Sequence, residues 1–202
     1  LNILGTGKKI AEKLPGKMVT DGCIYIVSYV NNPGEIVQSS PIVRVVYGMR
    51  DGSKPPILEK VKRDLEHSGV DVLISDQIQR DCFQKFSCVS PMAAAGSYFN
   101  TNMGEIRSNQ EKRNFFIKLV EEISSLADAM GIPFKQDAVA ENLNILDGLS
   151  PDTTASLQKD LKRGENSEID GILFEPVRLG KKYGVAVPCY EKVAEKFGFD
   201  EI

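Results

Sequence analysis

The sequence predicts an α/β segment followed by an all-α segment, with the change near residue 76. Three observations predict it. Residues 17–49 are rich in β-branched and aromatic side chains, concentrated in the runs CIYIVSYV and IVRVVYGM. Ile57, Leu58, Val61 and Leu65 then share one helical face ahead of the short strand-like run VDVLIS. Beyond Asp76 the apolar residues recur at helical spacing in one segment after another. Strand, helix and strand in succession is the text of the back half of an open sheet domain, and helix after helix is that of a separate helical domain.

Each element has a local reason. The turn-forming NNPGE separates the two β-rich runs, so two or three strands are expected there. Pro55 and Pro56 introduce the helix that Gly69 stops. His67 falls in its last turn, where a cationic side chain suits the negative end of the helix dipole. As the only histidine, it also excludes a multi-histidine metal cluster. Ser108-Asn109-Gln110-Glu111 reads as a capping box launching Phe115, Phe116, Leu119, Val120, Ile123, Leu126 and Met130 until Gly131 and Pro133 end the run. Ser150-Pro151 reads as the cap and first residue of a helix that stops at Gly164. A last long helix is expected over residues 167–184, kinked at Pro176, which removes a backbone donor and costs about 3 kcal/mol in a straight helix.

At 202 residues, 42% hydrophobic and 26% charged, the chain has enough apolar side chains for one domain or two small ones. A net charge of −3 gives no general pull toward nucleic acid or anionic lipid, so neither is expected as a partner. No run reaches the ~18 apolar residues of a membrane span, and no leader-like segment appears. Cys23, Cys82, Cys88 and Cys189 are scattered without a CxxC pair, which reads as reduced thiols in a cytoplasmic protein. The chain opens on LNILGTGKK with no initiator methionine, so its first residue is read as an internal one.

Four polar residues fall where structure alone does not ask for them: Asn2, Lys85, Ser156 and Glu168. Lys85 lies in a helical segment whose next two turns on the same face carry Val89 and Ala93. Partial desolvation there disfavours the ammonium and draws its pKa down from about 10.4, toward the range of a general acid. A lysine snorkelling off a buried helix answers the same residues. Glu168 in NSEIDGI suits a helix N-terminus, Ser156 a solvent-facing helical position, and Asn2 a turn before a helix; the residues alone leave these readings open. Gly5-Thr6-Gly7 is rejected as a dinucleotide fingerprint, because no strand precedes it and Ile10 stands where the third glycine belongs.

The surroundings of these four positions resemble the ketopantoate reductase (2-dehydropantoate 2-reductase) family along nearly the whole chain. The resemblance rests on Asn2 before GTGKKIAEKLPGK, the strand text GCIYIVSY, Lys85 in a helix reaching Gly104-Glu105, Thr154-Ala155-Ser156 before Asp160, and Ser167-Glu168-Ile169-Asp170. It implies a Rossmann-type nucleotide-binding domain, of which residues 1–75 are the back part without the fingerprint, and a helical domain of the 6-phosphogluconate dehydrogenase C-terminal-like type over 76–202. It implies an NADPH-dependent reductase of 2-dehydropantoate or a related 2-oxo acid, with Lys85 protonating the ketone oxygen and no metal. By the same resemblance Ser156 contacts the substrate, Asn2 lies beside nicotinamide and substrate, and Glu168 and Ser28 serve the cofactor. Val89, Ala93 and Met103 depart from the family, which places asparagines there, and Phe83 replaces a tryptophan. Three lost amides remove hydrogen bonds that distinguish a hydroxylated substrate from a plain one, so reductase chemistry is implied while the acid stays open. The competing expectation is a non-catalytic substrate-binding or dimerisation module, pairing two copies through the helical domain.

Overall fold

The structure is a computed structural model that describes residues 2–39, 41–164 and 167–200. The chain divides into two compact units, one running from Ile3 to Cys82 and the other from Phe83 onward together with Asn2.

The first unit contains α1 (Thr6–Lys13), β1 (Asp21–Tyr25), β2 (Ser28–Asn32), β3 (Glu35–Gln38), β4 (Arg44–Gly48), α2 (Pro56–His67) and β5 (Asp71–Ile74). Its sheet has the order β1-β4-β5, with β1 antiparallel and β5 parallel to β4. Parallel neighbours need a crossover, and α2 supplies it. Side chains alternate across β4: Val46 packs with Cys23 and Ile78, whereas Tyr47 packs with Leu58 and Val72 and donates its hydroxyl to the Leu58 carbonyl at 2.6 Å. Four strands form where two or three were expected. NNPGE does not join the two β-rich runs but closes a separate hairpin of β2 and β3, with a bulge between Val30 and Asn32. Gly7 is required by packing, since a Cβ there would lie 1.9 Å from Oδ1 of Asp21, which Arg50 holds at 2.8 Å.

The helix α3 (Ile78–Phe99) begins in the first unit and continues into the second. It is followed by α4 (Met103–Ser108), α5 (Gln110–Ala129), α6 (Ala138–Gly148), α7 (Ser156–Arg163), a π-helical turn at Asp170–Phe174, α8 (Glu175–Tyr183) and α9 (Pro188–Lys196). The predicted stripe on α5 is the heart of this unit: Phe116, Leu119, Val120, Ile123 and Leu126 are all buried, and α4, α6, α8 and α9 pack against the helix. Its cap is Asn109 rather than Ser108, with the side chain accepting from Lys112 N at 3.1 Å. Ser108 is already the last residue of α4, so the start shifts by one position. Among the described residues no helix is long and apolar enough to cross a membrane.

Two further expectations are revised by packing. The helix predicted from Ser150 begins only at Ser156, because residues 151–153 run as a strap across the start of α4. There the carbonyls of Thr153 and Pro151 accept from Met103 N and Gly104 N, both at 2.9 Å, and satisfy two first-turn donors that α4 cannot pair internally. Pro176 does not simply bend a helix; the chain widens into the π-helical turn just before it. The missing N–H deprives the Ile172 carbonyl of its usual helical donor. The buried Ser90 hydroxyl of α3 donates to that carbonyl at 2.7 Å and lies 2.7 Å from the Tyr190 hydroxyl. Ser90 has one proton, already given to Ile172, so Tyr190 donates to Ser90. The start of α9 is met in a similar way, with the Glu122 carboxylate accepting from Cys189 N at 2.7 Å and Tyr190 N at 3.1 Å.

Ser90→Ala is expected to lower unfolding free energy by about 1–3 kcal/mol, since it leaves two buried groups unpaired. Tyr190→Phe removes a donor without orphaning the carbonyl and should cost about 0.5–1.5 kcal/mol in the same urea titration. Burial raises the Glu122 pKa, against the lowering effect of its two backbone donors. A raised folded pKa means stability present below the unfolded value of about 4.3 and lost as pH climbs through the folded value. The stability advantage of the native chain over Glu122→Gln should therefore shrink as pH rises from about 4, measured by unfolding at successive pH values.

Candidate active site

Lys85 stands about two turns into α3, half-buried, past the division at which the second unit begins. Its ammonium donates to Asn2 Oδ1 at 3.0 Å, and Asn2 Nδ2 donates to Glu168 Oε2 at 3.2 Å. Charge dictates the orientation of the amide: its oxygen faces the cation and its nitrogen faces the anion. All three side chains are partly buried, so each bond is less screened than it would be in water. A cation, a neutral amide and an anion are thus joined in one line.

Local structure explains each position. Glu168 sits just ahead of the π-helical turn, and its carbonyl accepts from Ile172 N at 3.0 Å. Val89 follows Lys85 by one turn and is half-buried; Ala93, one turn further, is buried. Met103 is buried at the start of α4, while Asn102 beside it caps that helix by accepting from Glu105 N at 2.9 Å. Glu105 is itself held by Thr101 and Lys112. Asn100 adopts φ 49° just past the end of α3, where the chain turns away from the helix.

The structure brings Asn2, Lys85 and Glu168 together. Ser156 is exposed at the first position of α7, not in mid-helix, and among the described residues no hydrogen bond links it to those three. Ser28 is exposed on β2 opposite Gln38, in the first unit. Sequence reasoning missed Gln158, which is buried and sets the start of α7: its Oε1 accepts from Ala155 N and its Nε2 donates to the Thr101 carbonyl, both at 2.9 Å. Gly96 makes room for it, as a Cβ there would approach Oε1 to 2.4 Å. The signal was present in the spacing of Gln158 three residues after Ala155, the returning half of a capping box.

The α/β unit and the helical unit share the long helix α3, which carries Lys85. Residues 77–199 match the family model described as "Ketopantoate reductase PanE/ApbA C terminal". The chain belongs to the ketopantoate reductase family, in which this helical C-terminal domain follows a Rossmann-like domain. It is 25% identical over 185 residues to a 2-dehydropantoate 2-reductase of Aquifex aeolicus, covering 89% of this chain and 59% of that one. It is 23% identical over 177 residues to the uncharacterized oxidoreductase YkpB of Bacillus subtilis, covering 88% and 58%. The chain therefore spans under three fifths of the length of these relatives. Among solved structures, a 2-dehydropantoate 2-reductase of Methylococcus capsulatus superposes with a TM-score of 0.85 at 25% identity, covering 97% of this chain and 62% of that one. A D-mandelate dehydrogenase solved with NADH and anilino(oxo)acetate gives a TM-score of 0.85 at 23% identity, covering 96% and 64%.

Gly104→Ala tests the strap that leads to Ser156. A Cβ at this position would lie 2.8 Å from both the carbonyl oxygen and Cβ of Pro151, closer than real contacts allow. The substitution should cost about 1–3 kcal/mol and accelerate amide hydrogen exchange at Met103, whose acceptor is on the same strap.

Proposed function

We propose that this chain is the substrate-side part of a nicotinamide-dependent 2-oxo-acid reductase, in which Lys85 gives a proton to the carbonyl oxygen. The observation that carries the reading is the Lys85 ammonium held by the Asn2 amide and backed by Glu168. Reduction of a ketone places negative charge on its oxygen, and a fixed ammonium beside that oxygen stabilises the charge and then neutralises it. A lysine also attracts an anionic acid to a chain that carries net negative charge.

The roles divide as follows. Lys85 faces the substrate oxygen and is the catalytic residue. Asn2 fixes where the ammonium points and offers its amide to the carboxamide edge of a nicotinamide. Glu168 is a positioning residue that acts through Asn2 on the cofactor side, and the family resemblance assigns Ser28 to the cofactor as well. Ser156, with an exposed hydroxyl at the start of α7, contacts the substrate carboxylate or hydroxyl. This set of donors and acceptors fits the nicotinamide end of the cofactor. The Gly5-Thr6-Gly7 turn does not fit its phosphate end, because the Asp21 carboxylate packs against Gly7. When bound, the cofactor supplies hydride to the 2-carbon.

Residues 1–75 are assigned to the back of the nucleotide-binding domain and 76–202 to the helical substrate and dimerisation domain. NADPH and 2-dehydropantoate, in the cytoplasm, are the ligands the family resemblance favours. The relatives named as 2-dehydropantoate 2-reductases support this choice, and the mandelate enzyme with NADH and a 2-oxo acid supports the wider class.

The test uses the longer protein that contains this chain, mixed with NADPH and 2-dehydropantoate while nicotinamide absorbance is followed. Lys85→Ala should reduce kcat by about 10²–10⁴-fold, the usual contribution of a general acid. Absence of turnover with every 2-oxo acid tried would overturn the proposal.

A further inference from the structure

We infer that Cys23 and Cys82 form a dithiol that a peroxide closes to a reversible disulfide, tying strand β1 to the first turns of α3. Cys23 is the buried middle residue of β1, and Tyr25, two positions on, faces the same side of the sheet. Ile78 and Cys82 lie one turn apart on one face of α3. The two faces meet: Cys23, Val46 and Ile78 form one buried cluster, with Tyr25 and Cys82 packed against it. All five residues belong to the first unit, and none takes part in the line from Lys85 to Glu168.

The two thiols do more than pack together. The side chains of Cys23 and Cys82 share a hydrogen bond, and the Tyr25 hydroxyl is hydrogen-bonded to Cys23 as well. The remaining cysteines have other neighbours: Cys88 lies near the Lys85 ammonium, and Cys189 is hydrogen-bonded to the Glu122 carboxylate. All four are free thiols. Among the described residues, the pair placed to close is therefore Cys23 with Cys82.

Hydrogen bonding to Cys23, burial, and the nearby carboxylates of Asp21 and Asp81 all push the Cys82 thiol above its ordinary pKa. Little thiolate exists at neutral pH, so the pair rests reduced and oxidises slowly. Cys82 is half-buried whereas Cys23 is buried, which makes Cys82 the sulfur that meets the oxidant. Its sulfur attacks one oxygen of hydrogen peroxide, the O–O bond breaks, and the other oxygen leaves as water with the thiol proton. A sulfenic acid remains. The Cys23 sulfur then attacks that of Cys82, forming the S–S bond and expelling the hydroxyl, with the Cys23 proton, as a second water. Two sulfurs are oxidised and one peroxide is reduced. The loop so closed runs through most of the first unit, and cross-links across long loops constrain the unfolded chain most.

The experiment treats the longer protein containing this chain with hydrogen peroxide at pH 7 and at pH 9, blocks the remaining thiols with iodoacetamide and maps the peptides by mass spectrometry. The expected product is an intramolecular Cys23–Cys82 disulfide that forms faster at pH 9 and is reversed by dithiothreitol. The oxidised protein should melt about 5 °C or more above the reduced one. Cys82→Ser should abolish both the cross-link and the rise in Tm, while Cys88→Ser should preserve them. Cys82 carried on to sulfinic or sulfonic acid without a cross-link overturns the inference. So does a disulfide from either residue to any other cysteine, or both thiols still free after prolonged treatment at pH 9.

Discussion

A buried hydrogen bond from Ser90 joins the two segments that carry Lys85 and Glu168. Ser90 follows Lys85 on α3, and the carbonyl it bonds belongs to Ile172, one turn beyond Glu168. The bond exists because Pro176 has no N–H to give. Without Ser90 the freed carbonyl would be buried unpaired, beside the buried side chains of Ile172 and Leu173 that also hold the widened turn before α8. Tyr190 completes the contact by donating to Ser90, and its phenol is held well above its ordinary pKa by burial. The neutral donor is therefore the form present at physiological pH. The interaction that compensates for the proline thus joins the segments that carry Lys85 and Glu168.

The link between Lys85 and Glu168 runs through an amide. A direct ion pair would join the two charges and satisfy each with the other; an asparagine between them keeps both in line while leaving hydrogen-bonding capacity at each end. An aspartate at residue 2 would repel Glu168, and an alanine would leave both charges without their bridge. Placement is what joins the trio in one line of hydrogen bonds. One member comes from the beginning of the chain, one from α3 and one from the segment before α8.

Elsewhere the helical unit uses side chains as caps at long range. Glu122 receives the first free donors of α9, the strap at residues 151–153 receives those of α4, and Gln158 ties the start of α7 to the end of α3. Each satisfies helix-end groups that would otherwise be lost to burial. The capping signals in the sequence were legible as signals, yet two pointed to the wrong residue. Ser108 was displaced by Asn109 because α4 extends through it, and Ser150 was displaced because its neighbours serve α4 before α7 can begin. Short-range motifs name candidates for a cap, and the competing demand of another helix selects among them.

By itself the sequence determined the order of α/β and helical segments, the apolar stripe of α5, the ends of α2, and the family, because these depend on periodicity and on ordered local motifs. It also singled out Asn2, Lys85 and Glu168 through their setting in those motifs. Only the tertiary structure decided that these three residues share one line of hydrogen bonds and that Ser156 begins a helix. It alone showed that Pro176 is accommodated by a π-helical turn held by Ser90. The reason is physical: periodicity records which face of an element is buried, whereas the partner of a particular polar atom depends on which distant segment arrives beside it.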